Sequence, residues 1–219
     1  MDKLRMRFTK TGRAAYISHL DLVQTVQRAF FRAGLPLKYS EGFNPRPQLS
    51  ALLPLSVGTE SLCELMDFQL TEELDISTVP DRLNATLPEG IHVMEVYRRE
   101  RKPAELKWLR VKGRLEYDER DLDKLIEPLR TFYGGESIIV LRKTKRGEGE
   151  TDIKSAIKSM EVSVGEGCIS LDAVISAQEP TLNPALLIDA LRRNAPELTP
   201  DFAKFTRQEV FDREMKIYR

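Results

Sequence analysis

Residues 4–34 read LRMRFTKTGRAAYISHLDLVQTVQRAFFRAG, and the change of period inside this stretch decides the fold. Over Leu4, Met6 and Phe8, apolar side chains alternate with Arg5 and Arg7, the period-two mark of a half-buried strand. From Ser18 onward the spacing changes. Leu22, Val23, Val26, Ala29, Phe30 and Ala33 fall on one face of an α-helix. The Ser18 hydroxyl stands where it can accept from the amide of the third helical residue, and Asp21 occupies that position as a capping-box partner. Gly34, followed by Leu35-Pro36, ends the helix.

The same signals continue outward. Residues 49–55 and 62–70 read as strands joined by a turn at Val57-Gly58-Thr59-Glu60. Asp75 to Leu87 reads as a helix capped by Asp75 or Ser77, with Pro80 tolerable only in its first turn. Ile91 to Tyr97 reads as the closing strand. The second half repeats this order: a strand over Leu106–Tyr117, a helix over Asp118–Tyr133 ended by Gly134-Gly135, and a strand over Ile138–Arg142. A polar excursion, Lys143–Glu150, leads to a hairpin of Met160–Val164 and Cys168–Ser176 around Gly165-Glu-Gly167. Asn183 caps a helix over Pro184–Arg193, with Pro184 at its first position, and Phe205–Asp212 is the last strand. Asp152–Lys158 reads equally as helical or extended. Two successive β-α-β-β-α-β units predict an α+β protein of two tandem ferredoxin-like (split βαβ) domains, residues 1–102 and 103–219, divided near Pro103-Ala104. The halves share no residue-by-residue identity, so the repeat is architectural.

A chain of 219 residues with 41% apolar and 31% charged side chains has room for one large or two small domains. Thirty-four Lys and Arg balance thirty-four Asp and Glu, so any reading as a nucleic-acid binder has to rest on local patches. Such patches exist. Residues 1–50 hold nine cations against three acids, residues 51–97 hold nine acids against Arg82 alone, and residues 98–114 hold eight cations against two acids. Cys63 and Cys168 lie 105 residues apart, too few and too distant for a disulfide framework or a cysteine-rich metal site. With His19 and His92 the only histidines, no metal site is expected. The opening residues lack a hydrophobic signal core and no run approaches a membrane span, which predicts a cytoplasmic, reduced, soluble protein with no membrane partner.

In a split βαβ unit both helices cover one sheet face. If Leu4, Met6 and Phe8 point to the helices, Arg5 and Arg7 point to the open face, where a guanidinium fork suits phosphate. On the first helix Gln24, Arg28 and Arg32 recur every four residues as a polar stripe, either a solvated face or a rail for a nucleic-acid backbone. The segment Leu35-Pro-Leu-Lys-Tyr-Ser-Glu-Gly-Phe-Asn-Pro-Arg-Pro-Gln-Leu-Ser50 carries three prolines, two aromatics and two cations in sixteen residues. Proline fixes φ and restricts the residue before it, so this long connection is stiff. A stiff loop with Tyr39, Phe43, Lys38 and Arg46 has the chemistry to stack unpaired bases and grip phosphates; its bland alternative is a structural loop capping a sheet edge. His19 at the helix start is the one catalytic candidate, as a general acid or base, although a structural role suits it better. Lys143, Lys145 and Arg146 read as a phosphate-binding arm or, beside Glu148, Glu150 and Asp152, as a solvated loop. There is no P-loop, no dinucleotide glycine fingerprint and no Gly-x-Ser-x-Gly elbow.

Phe8-Thr-Lys-Thr-Gly-Arg13, Ser18-His-Leu-Asp21, the run from Arg32 to Ser50, Leu53-Pro-Leu-Ser-Val-Gly58 and the register of Glu64 to Leu74 together resemble a bacterial family of unknown function. This is the radical-SAM-linked family, found beside or fused to cobalamin-type radical SAM proteins. The resemblance is strong over residues 1–100 and weaker beyond. It brings no established activity and no catalytic residues. It implies a radical SAM protein as partner, and suggests RNA only through the family's genomic company with RNA-processing and ribosomal-protein genes. Three closely spaced cysteines hold the cluster of a radical SAM enzyme; Cys63 and Cys168 do not supply them, so the chain itself is not that enzyme.

The expectation is therefore a non-catalytic accessory protein, without cofactor, that presents RNA to a radical SAM partner. Its binding residues would be Arg5, Arg7, Lys10, Arg13, Arg28, Arg32, Lys38, Tyr39, Phe43 and Arg46. Two alternatives stand beside it. One is a metal-independent RNA endonuclease using His19, loosely similar to CRISPR RNA-processing endonucleases. The other is a protein-only adaptor whose acidic 51–97 region docks the radical SAM partner.

Overall fold

A strand that alternates apolar and charged residues must cover one face, and β1 (Leu4–Lys10) does so by burying Leu4, Met6 and Phe8 beneath α1 (His19–Arg32). The computed structural model describes residues 3–144 and 147–219 and is a mixed α+β structure. It divides into a unit that ends at Glu105 and a second unit, Leu106–Tyr218. Among the described residues no helix is long and apolar enough to cross a membrane.

The first unit continues through β2 (Leu49–Ala51), β3 (Glu60–Phe68), α2 (Val79–Asn84) and β4 (Ile91–Arg98). Its strands lie in the order β4-β1-β3-β2, every pair antiparallel. Leu22, Val26, Ala29 and Phe30 of α1 pack on Met66 and Phe68, with the Phe30 and Phe68 rings edge to face at 4.9 Å. Both ends of α1 are held by polar side chains. The Asp21 amide donates to the Ser18 hydroxyl (3.2 Å), which in turn donates to the Asp21 carboxylate (2.7 Å). At the other end Arg82 donates to the carbonyls of the C-cap Ala33 (2.8 Å) and of Gly34 just beyond it (3.0 Å).

The second helix is shorter than its sequence predicts. A 3₁₀ turn over Ile76–Thr78 precedes it, because the Asp75 carboxylate accepts from the Ser77 amide and hydroxyl, and Pro80 sits in the first helical turn. Gly90, at φ +89°, lies where β4 begins beside the end of β1. A Cβ there would meet the Thr11 carbonyl at 2.4 Å, while the Gly90 carbonyl accepts from the Thr11 amide.

The second unit holds β5 (Leu106–Glu116), α3 (Leu122–Gly134), β6 (Ile139–Thr144), β7 (Gly147–Asp152), β8 (Ile157–Gly165), β9 (Cys168–Ser176), α4 (Ala185–Asn194) and β10 (Phe202–Asp212). Within this unit β10, β5, β9 and β8 lie side by side in that order, all antiparallel. Leu109, Val111 and Leu115 of β5 are buried with Ile169, Leu171, Ala173 and Ile175 of β9. The Phe205 ring lies where a Cβ on Gly113 would stand, 2.7 Å from it, so only glycine fits that position of β5.

The segment read as a polar excursion is a strand instead: β6 and β7 form a hairpin of their own, with Thr144 opposite Gly147. Its tip, with Lys145 and Arg146 of the proposed phosphate arm, lies outside the described residues. Backbone pairing and the buried residues Ile138, Val140 and Ile153 hold its base. There the Asp152 carboxylate accepts from the amides of Ile138 and Lys154, both at 2.9 Å, and these bonds hold its pKa below the ordinary value. The ambiguous stretch after it is a 3₁₀ turn, Lys154–Ala156, leading into β8.

Two buried tyrosines hold parts of the second unit together, Tyr117 reaching the 3₁₀ turn Pro196–Leu198 and Tyr133 joining α3 to α4. The Tyr117 hydroxyl donates to the Leu198 carbonyl (2.9 Å) and the Tyr133 hydroxyl to the Leu187 carbonyl (3.1 Å). Burial pushes the Tyr117 phenol up to about 12 and raises that of Tyr133 as well. A group whose folded pKa lies above its unfolded value contributes stability that is complete below the unfolded value, near 10, and lost above it. Thermal melts should therefore fall steadily as the pH is raised from about 10 to about 12. In the Tyr117→Phe/Tyr133→Phe variant this alkaline slope should flatten.

Candidate nucleic-acid interface

Two of the ten expected contact residues are not on the surface. Arg5 is wholly buried. It lies opposite Asp67 in the β1–β3 register and grips that carboxylate with two nitrogens, Nε at 2.6 Å and Nη2 at 3.2 Å. Arg99 adds a second guanidinium to the same carboxylate at 3.1 Å, and the Arg101 carbonyl accepts from Arg5 at 3.1 Å. The face opposite the helices is thus closed at Arg5 by an ion triad and the segment after β4. Lys10 is buried as well, its ammonium donating to the carbonyls of Ala15 and Ile17, both at 3.1 Å. It serves as the lock on the 3₁₀ turn Gly12–Tyr16. Arg7 is half-buried, 3.8 Å from Glu95. Arg5 and Lys10 therefore leave the expected binding set, because each has its acceptors inside the fold.

The remaining residues face water. Arg13 is exposed on the 3₁₀ turn, and Arg28 and Arg32 are exposed on α1 with Gln24. Arg32 reaches the Thr86 carbonyl (2.7 Å), which holds it toward α2 and leaves Arg28 the more available cation of the stripe.

The proline-bearing connection is the most built part of this surface. Leu37 bridges to Leu70 and Tyr39 to Pro47, and the Lys38 amide donates to the Gln69 carbonyl while its own carbonyl accepts from Gln48. Between these stems the Ser40 amide donates to the Arg46 carbonyl and the Arg46 amide to the Ser40 hydroxyl, so residues 40–46 form a closed loop. Phe43 at its tip is fully exposed, and Tyr39 remains 46% exposed. The Tyr39 hydroxyl accepts from the Gln27 side chain at 3.4 Å, which ties the loop to the outer side of α1. Tyr39, Gln27 and the loop tip with Phe43 and Arg46 thus belong to one braced structure, next in sequence to the exposed Arg28. Successive residues of an extended stem alternate sides, so Lys38 faces away from Tyr39.

Two residues of this surface lie outside the ten expected. Leu20 is 71% exposed and Phe31 87% exposed, both on the outer side of α1 with Gln24 and Gln27 between them. Their signal was present: both fall outside the apolar arc that buries Phe30. His19 is half-buried at the first position of α1, beside the Ser18–Asp21 cap. Among the described residues no group of three or more His, Cys, Asp or Glu side chains is placed to hold a metal ion.

Comparison with known proteins gives a family match and distant likenesses to solved structures. Residues 3–184 match the model of a family described as "Uncharacterized protein conserved in bacteria (DUF2344)". The chain belongs to this family. No curated protein matches it. Among solved structures, a chain in the crystal structure of a Cbf5-Nop10-Gar1 complex is similar at 14% identity with a TM-score of 0.47, over 94% of this chain and 48% of that one. The protein thus spans about half the length of that chain. An unknown protein from Galdieria sulphuraria is similar at 9% identity with a TM-score of 0.29, over 94% of this chain and 98% of the other.

The Arg5 triad makes a direct stability prediction. Asp67→Ala removes the carboxylate that two guanidinium groups share, one of them wholly buried, and losing one partner of a buried pair costs about 3–5 kcal/mol. Chemical denaturation should register that loss. The double variant Arg5→Met/Asp67→Leu should recover most of it, since an apolar pair of similar volume needs no counter-charge.

Proposed function

We propose that the protein binds single-stranded RNA on the outer surface of its first unit and acts as a non-catalytic accessory to an enzyme. The resemblance of residues 1–100 to the radical-SAM-linked family suggests a radical SAM protein as that enzyme. We also infer that each unit is a ferredoxin-like split βαβ, since the antiparallel order last-first-third-second with two helices belongs to that arrangement; the β6–β7 hairpin is then an insertion in the second.

The observation that carries the RNA reading is Phe43. A phenyl ring held fully in water at the tip of a loop braced at both stems contributes nothing to the core. It lies in a segment that also exposes Tyr39 and Arg46, with Lys38 on the opposite side of the stem from Tyr39, and Gln27 links that segment to the helix bearing Arg28. Rings that stack bases and cations that follow phosphates are the usual means of gripping a single strand without reading its sequence. Leu20 and Phe31 support a second reading, docking of a protein partner on α1, because exposed apolar anchors suit a protein interface better than a phosphate backbone.

Anisotropy titrations of labelled single-stranded RNA against the full chain, repeated over a series of salt concentrations, test the first reading. The logarithm of the binding constant should fall against the logarithm of salt with a slope of about −0.7 per phosphate neutralised. Phe43→Ala should weaken binding by about 1–3 kcal/mol while leaving the melting temperature unchanged. Arg28→Glu/Arg46→Glu should weaken it further and flatten the slope. Affinity indifferent to salt and to all three substitutions would count against RNA; capture of the enzyme partner that Leu20→Ser/Phe31→Ser abolishes would then favour docking.

A further inference from the structure

The second unit carries a surface that the first lacks. On β5 the residues between the buried Leu109, Val111, Gly113 and Leu115 are Arg110, Lys112 and Arg114, all exposed on the sheet face away from the core. Register places two rows across this face. One runs Lys204, Arg114, Ser170, Ser163 and the next runs Thr206, Lys112, Asp172, Glu161. Side chains in such rows stand about 4.5–5.5 Å apart at Cβ, within reach of one bound group. A cavity of about 690 Å³ opens along β8, lined in part by Lys112, Lys158, Ser159, Ser163 and Ser170.

Resting on the RNA reading, we infer that this open face is a second contact surface, which takes the phosphodiester backbone of an RNA strand. The charges decide the placement. Asp172 is occupied by Arg110 through two bonds of 2.9 and 2.7 Å, and Glu116 accepts from Arg114 at 2.7 Å, yet both guanidinium groups remain about half exposed. Lys112 is exposed between them, while Glu161 repels phosphate at the β8 end of its row. Phosphates are therefore directed to the Arg114 row, where Ser170 and Ser163 hydroxyls continue the donor set. The carboxylates of the neighbouring row are acceptors for ribose 2′-hydroxyls. At the start of β5 the Lys158 and Lys107 ammonium groups lie 5.0 and 5.7 Å from the Trp108 ring centre, adding positive charge at that end. The polar, cationic character of the face favours a nucleic-acid backbone over a protein partner, whose interface core would be depleted of charge.

Lys112→Glu/Arg114→Glu in the full chain, with the neutral pair Lys112→Gln/Arg114→Gln as control for folding, tests this against oligouridine in the same salt titrations. If two phosphate contacts are lost, the salt slope should fall by about 1.4 in the neutral pair, and affinity should fall further in the reversed pair. Melting temperatures near wild type would assign the change to the surface. A slope unchanged in both pairs while Arg28→Glu/Arg46→Glu flattens it overturns the second surface and leaves the first-unit reading standing. A slope reduced only by the second-unit pairs supports the inference and removes the first-unit site. No binding by the wild-type chain overturns both.

Discussion

Register is the constraint from which the first unit's surface chemistry follows. An antiparallel pairing that sets Leu4 opposite Phe68 and Met6 opposite Met66 has no freedom left for Arg5, which must face Asp67. The apolar residues choose the register, because a slip of one residue would turn every one of them to the wrong face. The guanidinium then lies in a layer closed by the segment after β4, and a buried charge survives there only with its counter-charge and further acceptors in place. Asp67, Arg99 and the Arg101 carbonyl form that set. An arginine placed by alternation is therefore a piece of the scaffold, and exposed cations of this unit stand instead on α1 and the proline-bearing loop.

The two units use one strand order for different ends. With the separate β6–β7 hairpin set aside, both orders place the last strand beside the first and the third beside the second. In the first unit the face away from the helices holds a closed ion triad at Arg5. In the second the equivalent face of β5 keeps three cations exposed, each within a row that includes hydroxyl or carboxylate neighbours. The difference lies in what crosses the face, since a side chain whose acceptors come from its own sheet neighbours keeps its outer edge solvated, whereas Arg5 also meets a backbone carbonyl from the covering segment.

Much of the fold was legible because its signals were local. The Ser18 cap, the arc from Leu22 to Ala33 and the Gly34 stop place α1 to within a residue, and the alternation at Leu4–Phe8 gives both the strand and the side it buries. The strand expected at Ile138–Arg142 is most of β6, but its partner β7 is not legible: Gly147-Glu-Gly-Glu-Thr-Asp152 has no apolar alternation, and its strand form depends on pairing with β6 and on burial at its base. The candidate site divides along the same line. Tyr39, Phe43 and Arg46 stood out through proline stiffness, a property of adjacent residues. Arg5 and Lys10 misled because their partners are Asp67, 62 positions away, and two backbone carbonyls, which no charge pattern can display. Leu20 and Phe31 lie outside the arc that α1 buries, and helical periodicity marks only the buried face.

The bracing of the loop bears on why an exposed ring would be useful there. Ordering a mobile segment on binding consumes free energy at roughly 0.5–1.5 kcal/mol per immobilised side chain, in addition to backbone losses. The Tyr39–Pro47 bridge and the Ser40–Arg46 bonds set that order before any ligand arrives, and the Gln27–Tyr39 contact orients the loop against α1. A base stacking on Phe43 would then retain most of its stacking energy as affinity. A ring on a floppy loop would surrender much of it to ordering, so the prolines that stiffen residues 35–50 and the aromatic at the tip belong to a single functional argument.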